Sequence, residues 1–288
     1  MINFRMLILG LTIAVTSCSR APETHAYPLT GQILVVKHET NEVLVKHQDI
    51  PGFMPAMTMP YVVKDPAILK DRVAGDLITA TLNVTPDGAY LTAITKTGSA
   101  PLPVDARTTI PVATNVHILA AGDQVPDTKL TDQDGAPLAL TDFKGSAVAV
   151  SFIYTRCPLP QFCPLIDRRF AEAQKLVAAD PLLAGKVRLV SISFDPAFDR
   201  SEILRAHAKK VSADPKVWRF ATAEEAIVDR LAAQFGVNVI REKDGTITHN
   251  LRTAVIDPSG HVVSVVDSNA WTADELVRSF RNALAATR

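Results

Sequence analysis

With 288 residues, 47% of them hydrophobic and 21% charged, the chain can bury a sizeable core and is long enough for two domains. Thirty Lys and Arg balance thirty Asp and Glu, so no excess of charge argues for nucleic acid or an anionic membrane surface as a partner. The composition is that of ordinary globular material.

The N-terminus carries one cation at Arg5, an apolar run from Met6 to Val15, and then Val15-Thr-Ser-Cys18. A run of about ten residues is half the length that spans a bilayer, but it matches the core of a signal peptide over residues 1–17. Val15-Thr-Ser-Cys18 resembles the lipobox of bacterial lipoproteins. That resemblance implies cleavage before Cys18, a lipid on Cys18, and attachment to the membrane through that lipid alone. Residues 18–27, polar and containing Pro22, read as the tether. The expected location is the bacterial cell envelope, facing the periplasm. Cys157 and Cys163 are then the two thiols left, in a compartment where disulfides persist.

Residues 28–97 are dense in strand signals. Gly31–Lys37 and Glu42–His47 alternate or run apolar around turn residues at Glu39-Thr-Asn41. Met57–Val63, Asp76–Val84 and Tyr90–Lys96 supply three more, the last two joined at Pro86-Asp-Gly88. Five short strands in so little chain predict a small all-β, OB-like barrel. Residues 98–112, rich in proline and small polar residues and without periodicity, read as an interdomain linker.

From residue 113 onward strands alternate with helices. The predicted order is a strand over Ala147–Tyr154, a helix over Pro164–Ala179, a strand over Val187–Phe194, and a helix over Ser201–Ser212. A short strand over Trp218–Phe220 follows, then a helix over Glu224–Phe235, a hairpin of Thr253–Ile256 with Val262–Val266, and a helix over Thr272–Ala285. This alternation predicts an α/β or α+β layer fold with helices on a mostly buried sheet.

Thr155-Arg-Cys-Pro-Leu-Pro-Gln-Phe-Cys-Pro164 joins the first of these strands to its helix. A thiol near the positive end of a helix dipole favours thiolate, the form that attacks disulfides and binds soft metals. On residues alone the pair is open to a disulfide staple, a redox couple or a metal site.

Four segments carry a resemblance: Asp127-Thr-Lys-Leu-Thr-Asp-Gln-Asp-Gly135, Phe152-Ile-Tyr-Thr-Arg-Cys157-Pro, Val190-Ser-Ile-Ser-Phe-Asp195-Pro, and His249 ahead of Val255-Ile-Asp-Pro-Ser-Gly260. In this order they resemble the Sco/SenC family of copper-delivery proteins. The resemblance implies a thioredoxin-like fold with copper held by Cys157, Cys163 and His249. Asp195, before Pro196, reads either as an acid-base or supporting group near the site or as a turn-forming residue. The family pattern places three residues between its cysteines, whereas Pro158 to Phe162 make five here. Two thiols and an imidazole suit either copper oxidation state and fall one ligand short of closed structural zinc.

Every methionine beyond the leader lies in Gly52-Phe-Met54-Pro-Ala-Met57-Thr-Met59-Pro60. Core filler would be scattered. Met57 and Met59 are two apart, so on a strand their thioethers share a face, and thioethers select Cu(I). The stretch from His47 to Met59 resembles the metal site of CusF-like periplasmic copper-binding domains. That resemblance implies His47, Met57 and Met59 as Cu(I) ligands. Where the family pattern has a tryptophan over the metal, this chain has Met54, so either Met54 as a further ligand or Phe53 as aromatic cover fills that place.

Together these features predict a copper metallochaperone. The acceptor that the Sco/SenC resemblance implies is the binuclear copper centre of cytochrome c oxidase subunit II. Two other functions compete. One is a thiol:disulfide oxidoreductase cycling Cys157 and Cys163; against it, thioredoxin-like exchangers place a proline before the strand opposite their cysteines, and this chain has none between Pro215 and Pro258. The other is a copper buffer or resistance module with no dedicated acceptor.

Overall fold

The computed structural model describes residues 24–85, 88–102, 116–241, 247–267 and 271–285. The leader, Cys18, and most of the predicted tether and linker lie outside the described residues, as does part of the Pro86-Asp-Gly88 turn.

Five strands, β1 (His25–Lys37), β2 (Glu42–His47), β3 (Met57–Val63), β4 (Asp76–Thr85) and β5 (Gly88–Ser99), close on themselves in the order β1-β2-β3-β5-β4. β3 and β5 pair in parallel and every other neighbour is antiparallel. The sequence dictates the ring through alternation: in β3 Met57, Met59, Tyr61 and Val63 are buried while Thr58, Pro60 and Val62 are not. β1 begins at His25, earlier than its apolar run suggests, because Tyr27 and Leu29 continue the inward face along β4. Gly31 is needed where β1 crosses β2. A Cβ there would sit 2.7 Å from the Lys46 carbonyl oxygen and 2.9 Å from the Cα of His47.

One buried charge anchors the ring. Asp76, at the start of β4, is fully buried and accepts from the Val73 amide at 3.2 Å and pairs with Lys96 of β5 at 2.5 Å. Burial opposes its ionisation, but the bond from Lys96, the Val73 amide and the charges of Lys96 and Arg72 outweigh it and hold the carboxyl below its ordinary value.

The C-terminal part is a seven-stranded sheet ordered β14-β13-β8-β9-β10-β6-β7. Its strands are β6 (Leu130–Asp132), β7 (Pro137–Leu138), β8 (Ala147–Ile153), β9 (Val187–Ser193), β10 (Trp218–Thr222), β13 (Arg252–Ile256) and β14 (Val262–Asp267). Helices α1 (Cys163–Ala179), α2 (Ser201–Lys210), α3 (Glu225–Gln234) and α4 (Ala273–Ala285) complete it. β8, β9 and β10 are parallel, and β13 runs antiparallel to β8. All seven residues of β8 are buried, the pattern of a central strand covered on both faces. The β8-α1-β9 crossover beside an antiparallel β13-β14 edge is the expected thioredoxin-like arrangement. A separate hairpin, β11 (Val239–Arg241) with β12 (Ile247–His249), was not legible from the sequence. β12 also packs against β3.

Because the Asp76 carboxyl is depressed in the fold, its stabilisation is present above the unfolded value of 3.8 and is lost as pH falls through the lower folded value. Asp76→Asn is expected to cost the ring about 2 kcal/mol at pH 7, the scale of charge-assisted bonds to a buried group. Thermal melts at pH 3 and pH 7 should show a smaller acid-dependent drop for the variant than for the natural chain.

Candidate metal centre

β8 delivers the chain into the cysteine loop, and buried carboxylates fix its exit. Asp199 is fully buried and accepts from the Thr155 amide at 2.9 Å, from the Thr155 hydroxyl, and from the Ser193 hydroxyl at 2.6 Å. The ends of β8 and β9 are thereby tied together. Asp195 accepts from Arg156 Nε at 2.7 Å, and the Arg156 guanidinium lies over the Phe198 ring at 5.0 Å. Asp195 therefore acts on the residue preceding Cys157. Asp199, four residues on, was not singled out by its sequence, although its spacing from Asp195 suits one turn that lets both face the loop.

Both thiols are nearly closed off: Cys157 is 9% exposed and Cys163 2%. Leu159, inside the longer spacer, is buried, and Phe162 closes a turn back to the Leu159 carbonyl at 3.0 Å. The spacer thus folds over and Cys163 opens α1, with the two thiols near enough to shift each other's protonation. His249 reaches them from β12, its Nε2 3.9 Å from Cys163 Sγ. Tyr154, Phe162 and Phe194 set their rings around that imidazole at centroid distances of 5.7, 6.4 and 4.7 Å.

The hairpin bearing His249 is pinned at both ends. Arg241 of β11 makes two contacts with Asp229 at 2.7 and 2.8 Å and donates to the Phe194 carbonyl. Asn250 accepts from the Asn238 amide at 2.7 Å and donates to the Gly236 carbonyl at 3.0 Å. His249 Nδ1 lies 3.0 Å from the Asn250 carbonyl. A carbonyl only accepts, so Nδ1 carries a proton and Nε2 is the nitrogen turned toward the sulfurs.

The three donors converge at hydrogen-bond spacing. Among the described residues no group of three or more His, Cys, Asp and Glu side chains stands ready-made at metal–ligand spacing. The 3.9 Å between His249 Nε2 and Cys163 Sγ is close to the separation of two donors that each sit ~2.0–2.3 Å from one ion. The charge distribution suits a soft cation. Cys157 lies well below the ordinary thiol range, chiefly because Cys163 hydrogen bonds to it, with His249 adding to the effect. Burial pushes Cys163 well above that range. The two shifts run in opposite directions, so the thiolate form is favoured at Cys157 over Cys163.

The ring carries a second cluster. His47 and Met57 are direct cross-strand partners of β2 and β3, and Met59 shares Met57's inward face. His47 is 2% exposed, and its Nδ1 lies 2.7 Å from the Gln48 carbonyl. By the same reasoning Nε2 bears the lone pair, and it is buried without a hydrogen-bond partner. Burial pushes the His47 pKa down, against the Gln48 carbonyl and the Asp49 charge, so the ring stays neutral at pH 7. Met54 is buried, held by a bridge to Ile50, whereas the Phe53 ring stacks on Tyr27 at 4.6 Å. Of the two residues at the departure from the CusF-like pattern, Met54 is the one buried in the core, and Phe53 is engaged elsewhere.

In the reduced, metal-free chain, iodoacetamide is expected to label Cys157 ahead of Cys163 at pH 7, with a rate that levels off at lower pH than that of an ordinary thiol. In Cys163→Ala the Cys157 rate should regain the rise through pH about 8.5 of an ordinary thiol. A natural-chain rate that climbs through that same range would contradict the preference for thiolate at Cys157.

Residues 120–285 match the family model SCO1/SenC, and residues 26–96 match the model described as copper binding periplasmic protein CusF. No curated protein matches. Among solved structures, a SCO1/SenC family lipoprotein from Bacillus anthracis str. Ames is 24% identical with a TM-score of 0.51, covering 56% of this chain and 94% of that one. Arabidopsis thaliana ScoI with copper bound is 20% identical with a TM-score of 0.49, covering 58% and 99%. BsSco, described as a member of the Sco family of cytochrome c oxidase assembly proteins, is 23% identical with a TM-score of 0.49, covering 58% and 96%. The Bacillus anthracis structure bears on the fold alone; the family model spans more than half of the sequence, and the chain belongs to the SCO1/SenC family.

Proposed function

We propose that this chain is an envelope copper metallochaperone with two Cu(I) sites: Cys157, Cys163 and His249 in the thioredoxin-like part, and His47, Met57 and Met59, with Met54 as a further thioether, in the ring. One observation carries the reading. In both places an imidazole has its Nδ1 committed to the next residue's carbonyl, which turns Nε2 away from it: toward Cys163 Sγ at His249, and without a hydrogen-bond partner at buried His47, the cross-strand partner of Met57. Copper is the cargo, and the bare nitrogen and sulfurs are the groups that would hold it.

The strand order of the ring supports an OB-like barrel over residues 28–97, ahead of a Sco-like part over residues 113–288. The packing of β12 on β3 brings the strand bearing His249 against the one bearing Met57 and Met59, which favours exchange between the sites. Exchange needs an open coordination position and no covalent step. The acceptor proposed is the binuclear copper centre of cytochrome c oxidase subunit II, on the ground of family membership. A periplasmic location, with Cys18 lipidated as the sole membrane anchor, fits the description of the CusF model and that of the Bacillus anthracis lipoprotein. Among the described residues no helix is long and apolar enough to cross a membrane.

A second reading has its own observation. Cys157 is held well below the ordinary thiol range, chiefly by Cys163, which favours the thiolate that attacks disulfides and with it thiol:disulfide exchange on acceptor cysteines.

Titration of the full chain with Cu(I) against a competing chelator is expected to reveal two sites. Cys157→Ala or Cys163→Ala should weaken one of them by about 100-fold or more, beyond the ~10–100-fold that loss of a supporting group costs. Two unchanged sites in either variant would sink the model. Insulin reduction that survives both His249→Ala and copper chelation would favour the exchange reading instead.

A further inference from the structure

A cavity of about 330 Å³ reaches the cysteine pair, and His249 is not part of its lining. Its walls include both cysteines, Asp167, Arg168, His207 and Lys210. Asp167 follows Cys163 by one turn of α1 and is 4% exposed. Its Oδ2 lies 2.8 Å from His207 Nε2, and its Oδ1 is buried without a hydrogen-bond partner. A buried carboxylate oxygen with no donor is costly, so an occupant bringing an N–H would be welcome there. Arg168 and Lys210 are exposed, and Arg168 also donates to the Pro160 carbonyl of the spacer at 3.3 Å. Two fixed cations outside, one unmatched acceptor inside and two sulfurs beyond describe a ligand with carboxylate, ammonium and thiol groups.

We propose that this cavity docks a small zwitterionic thiol, a thiol amino acid or short thiol peptide, which reduces the Cys157–Cys163 disulfide. Its carboxylate meets Arg168 and Lys210, its ammonium meets Asp167 Oδ1, and its sulfur faces the pair. The incoming thiolate attacks Sγ of Cys157, the more exposed of the two residues, and forms a mixed disulfide. The electron pair of the broken S–S bond leaves on Cys163, which takes up a proton. A second molecule of the thiol then attacks the mixed disulfide and releases Cys157. In sum, one protein disulfide and two small thiols yield two protein thiols and one small disulfide, with two electrons transferred. The inference rests on the copper reading only in that reduced thiols are the form that takes up Cu(I).

The test uses the full chain, oxidised and copper-free, with the rate of disulfide loss read by quenched alkylation and mass spectrometry. Glutathione is expected to react with saturation, whereas 2-mercaptoethanol, which bears no charge, should react in proportion to its concentration. Replacing both cations, Arg168→Gln with Lys210→Gln, should slow glutathione about tenfold, the scale of two exposed charge contacts, and leave 2-mercaptoethanol within about twofold. Asp167→Asn should slow glutathione more than 3-mercaptopropionate, which lacks the ammonium. Unsaturated glutathione kinetics, or an equal effect of the double variant on both thiols, would overturn the proposal. Cu(I) titration of the same variants reads the copper sites separately, so the failure of either reading is seen apart from the other.

Discussion

The buried carboxylate of Asp199 is the point on which the cysteine site depends. It takes the amide and hydroxyl of Thr155 and the hydroxyl of Ser193, so the last turn of β8 and the last turn of β9 share one acceptor. A carboxylate buried at that depth is tolerable only when its lone pairs are filled, and three donors from two strands fill them. The loop carrying Cys157 therefore leaves the sheet from a fixed position. Asp195 and Arg156 continue the same constraint on the outer side, and Leu159 and Phe162 fold the longer spacer inward, so the two additional residues enlarge the loop without parting the thiols.

The two sulfur-rich places in the chain reach a similar solution by different architecture. In the ring, antiparallel register sets His47 opposite Met57, and period-two alternation puts Met59 on the same face. In the thioredoxin-like part, a parallel crossover supplies the cysteines, and a small hairpin outside the main sheet supplies the histidine. In each, a carbonyl of the following residue fixes the tautomer of the imidazole, which is how a protein decides which nitrogen faces a soft ligand before any ligand arrives. The thiolate form is favoured at Cys157 while burial disfavours it at Cys163, which gives the second place a soft anionic donor beside a neutral one.

Much of this was legible in the residues. The methionines gathered between Met54 and Met59, the fully apolar Ala147–Ile153 and the cysteines before a helix each announce themselves through composition and period, because alternation and burial are local properties of strands. The parts that were not legible are non-local. The three-residue strands of β11 and β12 are too short to show a period, and Arg241, Asn238 and Asn250 secure them by contacts that no spacing reveals. Asp199 looks like a turn residue until Thr155 is seen against it. Asp167 looks like an ordinary helix-surface acid until His207, forty positions away, covers it.

By itself the sequence determined the kinds of donor present and the faces they occupy: soft sulfur on an inward strand edge and at a helix start, with neutral charge overall. Only the tertiary structure decided which of them meet. It brought His249 Nε2 to Cys163, buried the His47 Nε2 without a partner, turned Phe53 toward Tyr27 while Met54 went inside, and opened a charged cavity onto the cysteine pair. Donor chemistry is written residue by residue, whereas convergence depends on strand pairings and buried hydrogen bonds between segments far apart in the chain.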